Sequence, residues 1–277
     1  MASSNTNLCV LAIYFFLLCS YSFTLLAQNE NTPNQWWAEV GYMRTTMLDE
    51  HSSPLLYRAD MLSFRANFQR SSRLLFECDL HFQLGNNQAP AVGRRKGTFY
   101  EPIDFTGQKD SYDFIVNPLL SRLDGQFSVR IHYPLSDMHQ IGLQWTTRYS
   151  LAGAGGDAMQ FAHSDLAPSY RLQLASNRGL WQATFALPLL GVVTRPNFAY
   201  DASLPDETNY FRGYLRTGTR LVSLGQFFNP RFTWGYQWTR LTGRTLGLIY
   251  RAQWLNCNFP RRYRQIEQGI HLQYHFR

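Results

Sequence analysis

The sequence predicts an all-β chain, a closed up-and-down antiparallel β-barrel that crosses a membrane, and three observations carry that expectation. The first is the alternation at the C-terminal end. Ile270, Leu272, Tyr274 and Phe276 share one face of an extended segment, and His271, Gln273, His275 and Arg277 share the other. The second is that similar segments follow one another through the last third of the chain. Strands apolar on their outer side need an apolar medium around the sheet. The third is composition: 45% hydrophobic and 16% aromatic residues with a mean hydropathy of -0.30, too polar for a bundle of apolar helices.

The one long apolar run lies at the N-terminus, from Leu8 through Cys19, followed by Ser20 to Leu26 and the small residue Ala27. We read residues 1–27 as an export signal and residues 28–277 as the barrel. The signal lacks Lys or Arg before its apolar stretch, and a retained membrane anchor is the alternative. A lipoprotein signal ending at Cys19 is disfavoured because Leu18 fills the position that needs a small residue. Residues 1–27 carry no charged side chain, so all 26 basic and 19 acidic groups, and the net charge of +7, belong to the barrel. Cys78 falls in the apolar series Leu74, Phe76, Cys78, Leu80, Phe82 and reads as a small hydrophobe. Cys257 falls in an expected loop, so no disulfide between the two is expected.

Strands are expected near residues 37–45, 56–68, 73–84, 126–134, 139–150, 168–176, 179–190, 209–217, 219–228, 231–240, 245–255 and 265–277. Tight turns on one side of such a barrel alternate with longer loops on the other. The connections at 69–72, 135–138, 177–178, 218 and 241–244 are short and fall after every second strand, as that rule requires. Twelve spans are favoured, with ten to fourteen allowed. The long gap from Gly85 to Gly125 contains Thr98, Phe99 and Tyr100, then Tyr112, Phe114 and Ile115. It is expected to form an ordered outside hairpin, the alternative being two further spans.

Period two assigns faces. Outward fall Phe127, Val129, Ile131 and Tyr133; Ile141, Leu143, Trp145 and Tyr149; Trp181, Phe185 and Leu187; Phe232, Trp234, Tyr236 and Trp238; Leu246, Leu248, Tyr250 and Trp254. None is charged, and an Arg or Lys facing lipid at mid-depth costs roughly 2–4 kcal/mol. Inward fall Arg73, Glu77, Asp79, His81, Gln126, Arg130, His132, Gln144, Arg148, Arg171, Gln173, Arg212, Arg216, Arg231, Gln237, Arg251 and Gln253. The interior is therefore expected to be polar and predominantly basic.

On these residues the chain resembles Gram-negative outer-membrane β-barrel proteins as a class. The resemblance covers the whole region after the signal, and Ile270, Leu272, Tyr274 and Phe276 look like the signal that the barrel assembly machinery reads. Most members end on the aromatic, whereas here Arg277 follows it. The resemblance implies residence in the cell outer membrane, contact with lipid and lipopolysaccharide, and membership of an outer-membrane protein complex as a possible partnership. Nucleic acid is excluded by compartment.

Three functional readings follow. The leading one is a structural or complex-associated barrel whose arginines are neutralised by Glu77, Asp79, Asp60 and the glutamines. The alternative is a narrow anion-selective channel lined by Arg130, Arg148, Arg171, Arg212, Arg216, Arg231 and Arg251, open to small acidic solutes or oligosaccharides. The third is a lipid esterase or deacylase, whose best local sequence is Phe161-Ala162-His163-Ser164-Asp165 in an expected outside loop. Adjacent residues of an extended segment point to opposite sides, so these three types do not form a triad there, and no catalytic residue is assigned. His271 and His275 share a face about 13 Å apart, too far for one ion. His81 and His132 would have to meet across strands, so neither a metal site nor a cofactor is expected. Two basic clusters, Arg94, Arg95 and Lys96, then Arg261, Arg262 and Arg264, lie in expected outside loops and suit lipopolysaccharide phosphates.

Overall fold

The structure is a computed structural model, described here for residues 34–51, 53–92, 95–100, 111–116, 119–154, 157–195, 218–239 and 245–276. The expected export signal, the expected strand at 209–217, the turn at 241–244, Arg94, Arg212, Arg216 and Arg277 lie outside the described residues. Ten long strands close into an antiparallel ring: β1 (Asn34–Asp49), β2 (Ser53–Ser71), β3 (Leu75–Gln88), β6 (Leu119–Pro134), β7 (His139–Ala154), β8 (Asp157–Ser176), β9 (Gly179–Ala186), β13 (Arg231–Thr239), β14 (Thr245–Cys257) and β15 (Tyr263–Phe276). β1 pairs with β15 and β8 with β9, which leaves the ring no edge. β4 (Arg95–Tyr100) and β5 (Ser111–Val116) pair only with each other. The expected hairpin is thus separate from the barrel sheet rather than two more spans.

The ring has ten strands, within the ten to fourteen allowed, and the described segments that depart from the expected spans are broken by proline. β9 and β10 (Leu190–Thr194) both pair with β8 in the same direction, and act as one strand interrupted at Leu187-Pro188-Leu189. β11 (Thr219–Ser223) pairs with β10. β12 (Phe227–Phe228) and β13 both pair with β14, either side of Asn229-Pro230. Residues 219–239 therefore run down the barrel once, with a bend at 224–230, instead of forming two spans joined at Pro230. A proline gives the ladder no N–H donor, which is why the breaks fall at these positions.

The register fixes the strand tilt. Traced once around, it passes from Tyr170 through Phe185, Phe232, Ala252, Gln268, Arg44, Asp60, Asn86, Ser121 and Gly153 and returns to β8 at Ala158, twelve residues from where it began. Such a stagger goes with strands inclined by about 35–45°.

The expected outward residues do face outward, and Leu143, Trp234, Leu248 and Leu272 are exposed. One end of the barrel carries both the short turns Ser72–Leu74, Leu135–Met138 and Asn177–Arg178 and the ends of β1 and β15. Near that end Trp36 meets Phe68, Trp181 meets Trp234 and Tyr236, and Tyr274 meets Phe276, with ring centroids 4.7, 5.2, 4.6 and 5.1 Å apart. Such a girdle marks a membrane interface. From Trp36 to Arg44, the first outward charge on β1, the tilted strand climbs about 20 Å, enough for the hydrocarbon band of a thin bilayer.

The strands then continue past that height. β1 and β2 are joined by residues 50–52 and β7 and β8 by residues 155–156, where longer outside loops at 46–55 and 151–167 were expected. The reason is inside. Met47, Tyr57, Phe161, Val193, Val222, Phe227, Leu255, Cys257 and Tyr263 fill the barrel there with an apolar core, so the ladder has something to pack on beyond the membrane. Cys257 belongs to β14 and this core rather than to a loop, and the two cysteines among the described residues, Cys78 and Cys257, are free thiols.

Candidate functional site

The candidate site is the lumen, because the pleat sends every second side chain of ten strands into it. At mid-height those side chains form one chain of ion pairs across β14, β1, β2, β3, β6 and β8. Arg251 Nη2 lies 2.8 Å from Glu39 Oε2, and Arg65 Nε lies 3.9 Å from the same oxygen. Arg65 Nη1 donates to Asp79 Oδ1 at 2.7 Å, and Arg130 bridges Asp79 and Glu77 at 2.5 and 2.9 Å. Arg171 closes the series by donating to the other oxygen of Glu77. Trp37 Nε1 also donates to Glu39, at 3.2 Å.

Nearer the loop end, Asp124 accepts from Arg122 at 2.8 Å and from Arg148. Arg148 also donates to Glu267 Oε2 at 2.8 Å. Arg231 donates to Asp165, whose second oxygen lies 3.3 Å from His163 Nε2. Above these, Arg195 pairs with Asp49 and donates to the carbonyls of Phe259 and Arg261 at 3.0 and 2.9 Å. Its guanidinium lies 5.7 and 5.2 Å from the ring centres of Phe161 and Tyr263, which are stacked at 4.3 Å.

Among the described residues eight inward arginines thus face seven carboxylates, Glu39, Asp49, Glu77, Asp79, Asp124, Asp165 and Glu267. The lumen is nearly charge-balanced, which corrects the expectation of a predominantly basic interior. Arg130, Arg148, Arg171, Arg231 and Arg251 do point inward, each against an acid. Two other assignments change: Arg73 lies in the exposed turn after β2, and Asp60 faces outward, pairing with Arg44 at 3.0 Å.

The sequence reading missed Arg65, Arg122 and Arg195, and five of the seven acids. Glu267 keeps the parity of His271 and Gln273 on its strand, so extending that alternation would have found it, and Glu39 lies in the expected strand 37–45, whose faces were not assigned. Asp124 and Asp165 sit where strand was not expected. Between the ion pairs a cavity of about 50 Å³ remains, walled by Arg65, Arg130, Arg231, Arg251, Gln83 and Gln144 among others. That is room for a few water molecules.

The His-Ser-Asp sequence lies within β8, not in a loop. His163 and Asp165 point into the lumen, whereas Ser164 faces outward and accepts from Trp145 Nε1 at 2.8 Å. The three do not converge. His271 packs on Met43 and His81, His132 meets Ser169 at 3.0 Å, and His275 stacks on Trp37. Of the basic clusters, Arg95 belongs to β4 and Lys96 is exposed. Arg262 pairs with Glu50 at 3.4 Å, and Arg264 is the second residue of β15 on its outer face.

No protein-family model matches the chain, and no curated protein matches it. Among solved structures it is similar to an outer membrane channel from Pseudomonas putida F1, at 9% identity over 90% of this chain and 98% of that one, with a TM-score of 0.42. The β domain of the Bordetella autotransporter BrkA is similar at 10% identity over 88% and 99%, with a TM-score of 0.44. The outer membrane protease OmpT from Escherichia coli is similar at 7% over 90% and 99%, with a TM-score of 0.42. These are all barrels and differ in activity.

Proposed function

We propose that this chain is an outer-membrane β-barrel whose role is structural or complex-associated, with a lumen closed to ion flow. One observation carries the reading: each described lumen arginine is paired with a buried carboxylate. An anion entering such a lumen finds few uncommitted cations and displaces acids already in place. The apolar core at the loop end adds a second barrier, since an ion has no hydration partner there. The apolar band, its aromatic girdle and the short turns beside the strand ends of β1 and β15 support the outer membrane as location.

Planar-bilayer recording with the refolded barrel tests the closed state. Silence is expected at potentials to which porins respond. A steady anion-selective current would favour the channel reading instead.

A further inference from the structure

Among the described residues of the ring strands, charge on the outer wall above the girdle falls in one sector. Above the aromatic girdle, the outward-facing charged residues among the described positions of the ring strands are Arg44, Arg58, Asp60 and Arg264, all on β15, β1 and β2. At comparable height the other strands present neutral groups such as Leu84, Thr147, Ser164 and Trp254. Arg44 lies opposite Asp60, Arg58 opposite Thr46 and Arg264 opposite Leu48, so the three arginines occupy neighbouring strands within four residues along β1. Arg58 and Arg264, on either side of β1, are about 12 Å apart at their Cα atoms.

These arginines differ from those inside. Arg58 and Arg264 are exposed and have no ion-pair partner among the described residues. Arg44 has one: its Nε donates to Asp60 Oδ1 at 3.0 Å, its Nη2 to the Tyr42 hydroxyl at 3.4 Å, and Tyr42 itself donates to Asp60. Both side chains of that pair remain more than half exposed, at 58% and 59%. The sector is therefore left with two uncompensated positive charges. Immediately below it, on the same three strands, runs an exposed apolar stripe of Val40, Leu62, Phe64, Ile270 and Leu272.

We propose that this sector binds a phosphorylated glycolipid of the outer leaflet, with its phosphates on Arg58, Arg264 and Arg44 and its acyl chains along the stripe. Guanidinium is the side chain best matched to phosphate oxygens, and the pair with Asp60 and Tyr42 holds Arg44 upright beside the other two. Apolar contact beneath the charges favours a lipid over a free anion, which would gain nothing from it. The site keeps Arg264 from the expected cluster and adds Arg58 and Arg44, which moves the expected contact from the 261–262 loop to the strand face. It rests on the outer-membrane reading above.

The test compares the wild-type barrel with the triple variant Arg44→Gln/Arg58→Gln/Arg264→Gln and with Arg261→Gln/Arg262→Gln, each refolded in detergent and checked by heat-modifiable gel mobility. Binding of bisphosphorylated lipid A, of dephosphorylated lipid A and of inorganic phosphate is counted by native mass spectrometry. We expect the triple variant to lose about tenfold or more of its affinity for the bisphosphorylated lipid, the loop variant to keep it, and dephosphorylated lipid to bind all three weakly and alike. Equal affinity of wild type and triple variant overturns the proposal. So does binding of inorganic phosphate as tight as that of the lipid. Should a single substitution at Arg58 be the only variant that folds, a severalfold loss carries the proposal and none overturns it. Cell fractionation of the wild type separates the two readings: absence from the outer membrane defeats the location, while presence there with unchanged lipid binding defeats this site alone.

Discussion

Asp165 and Asp60 are both aspartates paired with an arginine, and their surroundings make them unequal. Asp165 is fully buried against Arg231 and His163, whereas Asp60 is exposed beside Arg44. Asp165→Asn leaves a buried guanidinium uncompensated and is expected to cost about 3–5 kcal/mol. Asp60→Asn removes a solvated pair, and about 0–1 kcal/mol is expected. Urea unfolding in micelles, followed by tryptophan fluorescence, reads both. Similar costs would show that the two environments are alike. Gly41 presents the same logic for volume. A Cβ built there meets the Ile270 carbonyl and His271 Nδ1 at 2.5 Å, so Gly41→Ala forces the β1–β15 seam apart. The expected loss is about 1–3 kcal/mol by the same assay.

Strand β15 joins the two media in one element, with His271 and Gln273 buried inside and Ile270 and Leu272 exposed outside. Depth along it sets the cost of an outward charge. Leu272→Arg falls within the hydrocarbon band and should destabilise by about 2–4 kcal/mol, while Ile266→Arg, level with Arg44, should cost about 0–1 kcal/mol. Refolding yields into phospholipid vesicles measure the difference, and a reversed order would place the membrane elsewhere on the strand. The same element shows how far alternation reads. The faces of 270–276 follow from the pleat, but the strand begins at Tyr263, because its first residues pack on the apolar core rather than on lipid. The expected strand ends at residues 45, 56, 150, 168 and 265 stopped short of that core. The expected span at 219–228 fails for a comparable reason: its apolar alternation is real, yet Ser223 pairs with Leu190 and Phe227 with Cys257, so the segment divides between neighbours.

For the whole molecule, the balance of eight arginines and seven acids among the described lumen residues predicts how a conducting barrel is made. Glu77→Gln with Asp79→Asn removes the acids shared by Arg65, Arg130 and Arg171. The variant should show noisy, anion-selective current above a silent wild type, read from the reversal potential in asymmetric chloride. No change in current would mean that the apolar core, and not the ion pairs, sets the closure. The alternating sequence by itself determined that this is a membrane barrel and, on the strands whose faces it resolved, which side chains meet lipid and which, such as Glu77, Asp79, Arg130 and Arg148, enter the lumen. Facing direction is local, fixed by the two-residue period of the pleat. Only the tertiary structure decided that there are ten strands, that the lumen is charge-balanced and that the outer charges gather in one sector. Those properties depend on register and closure, which bring together residues as distant in sequence as Glu39 and Arg251.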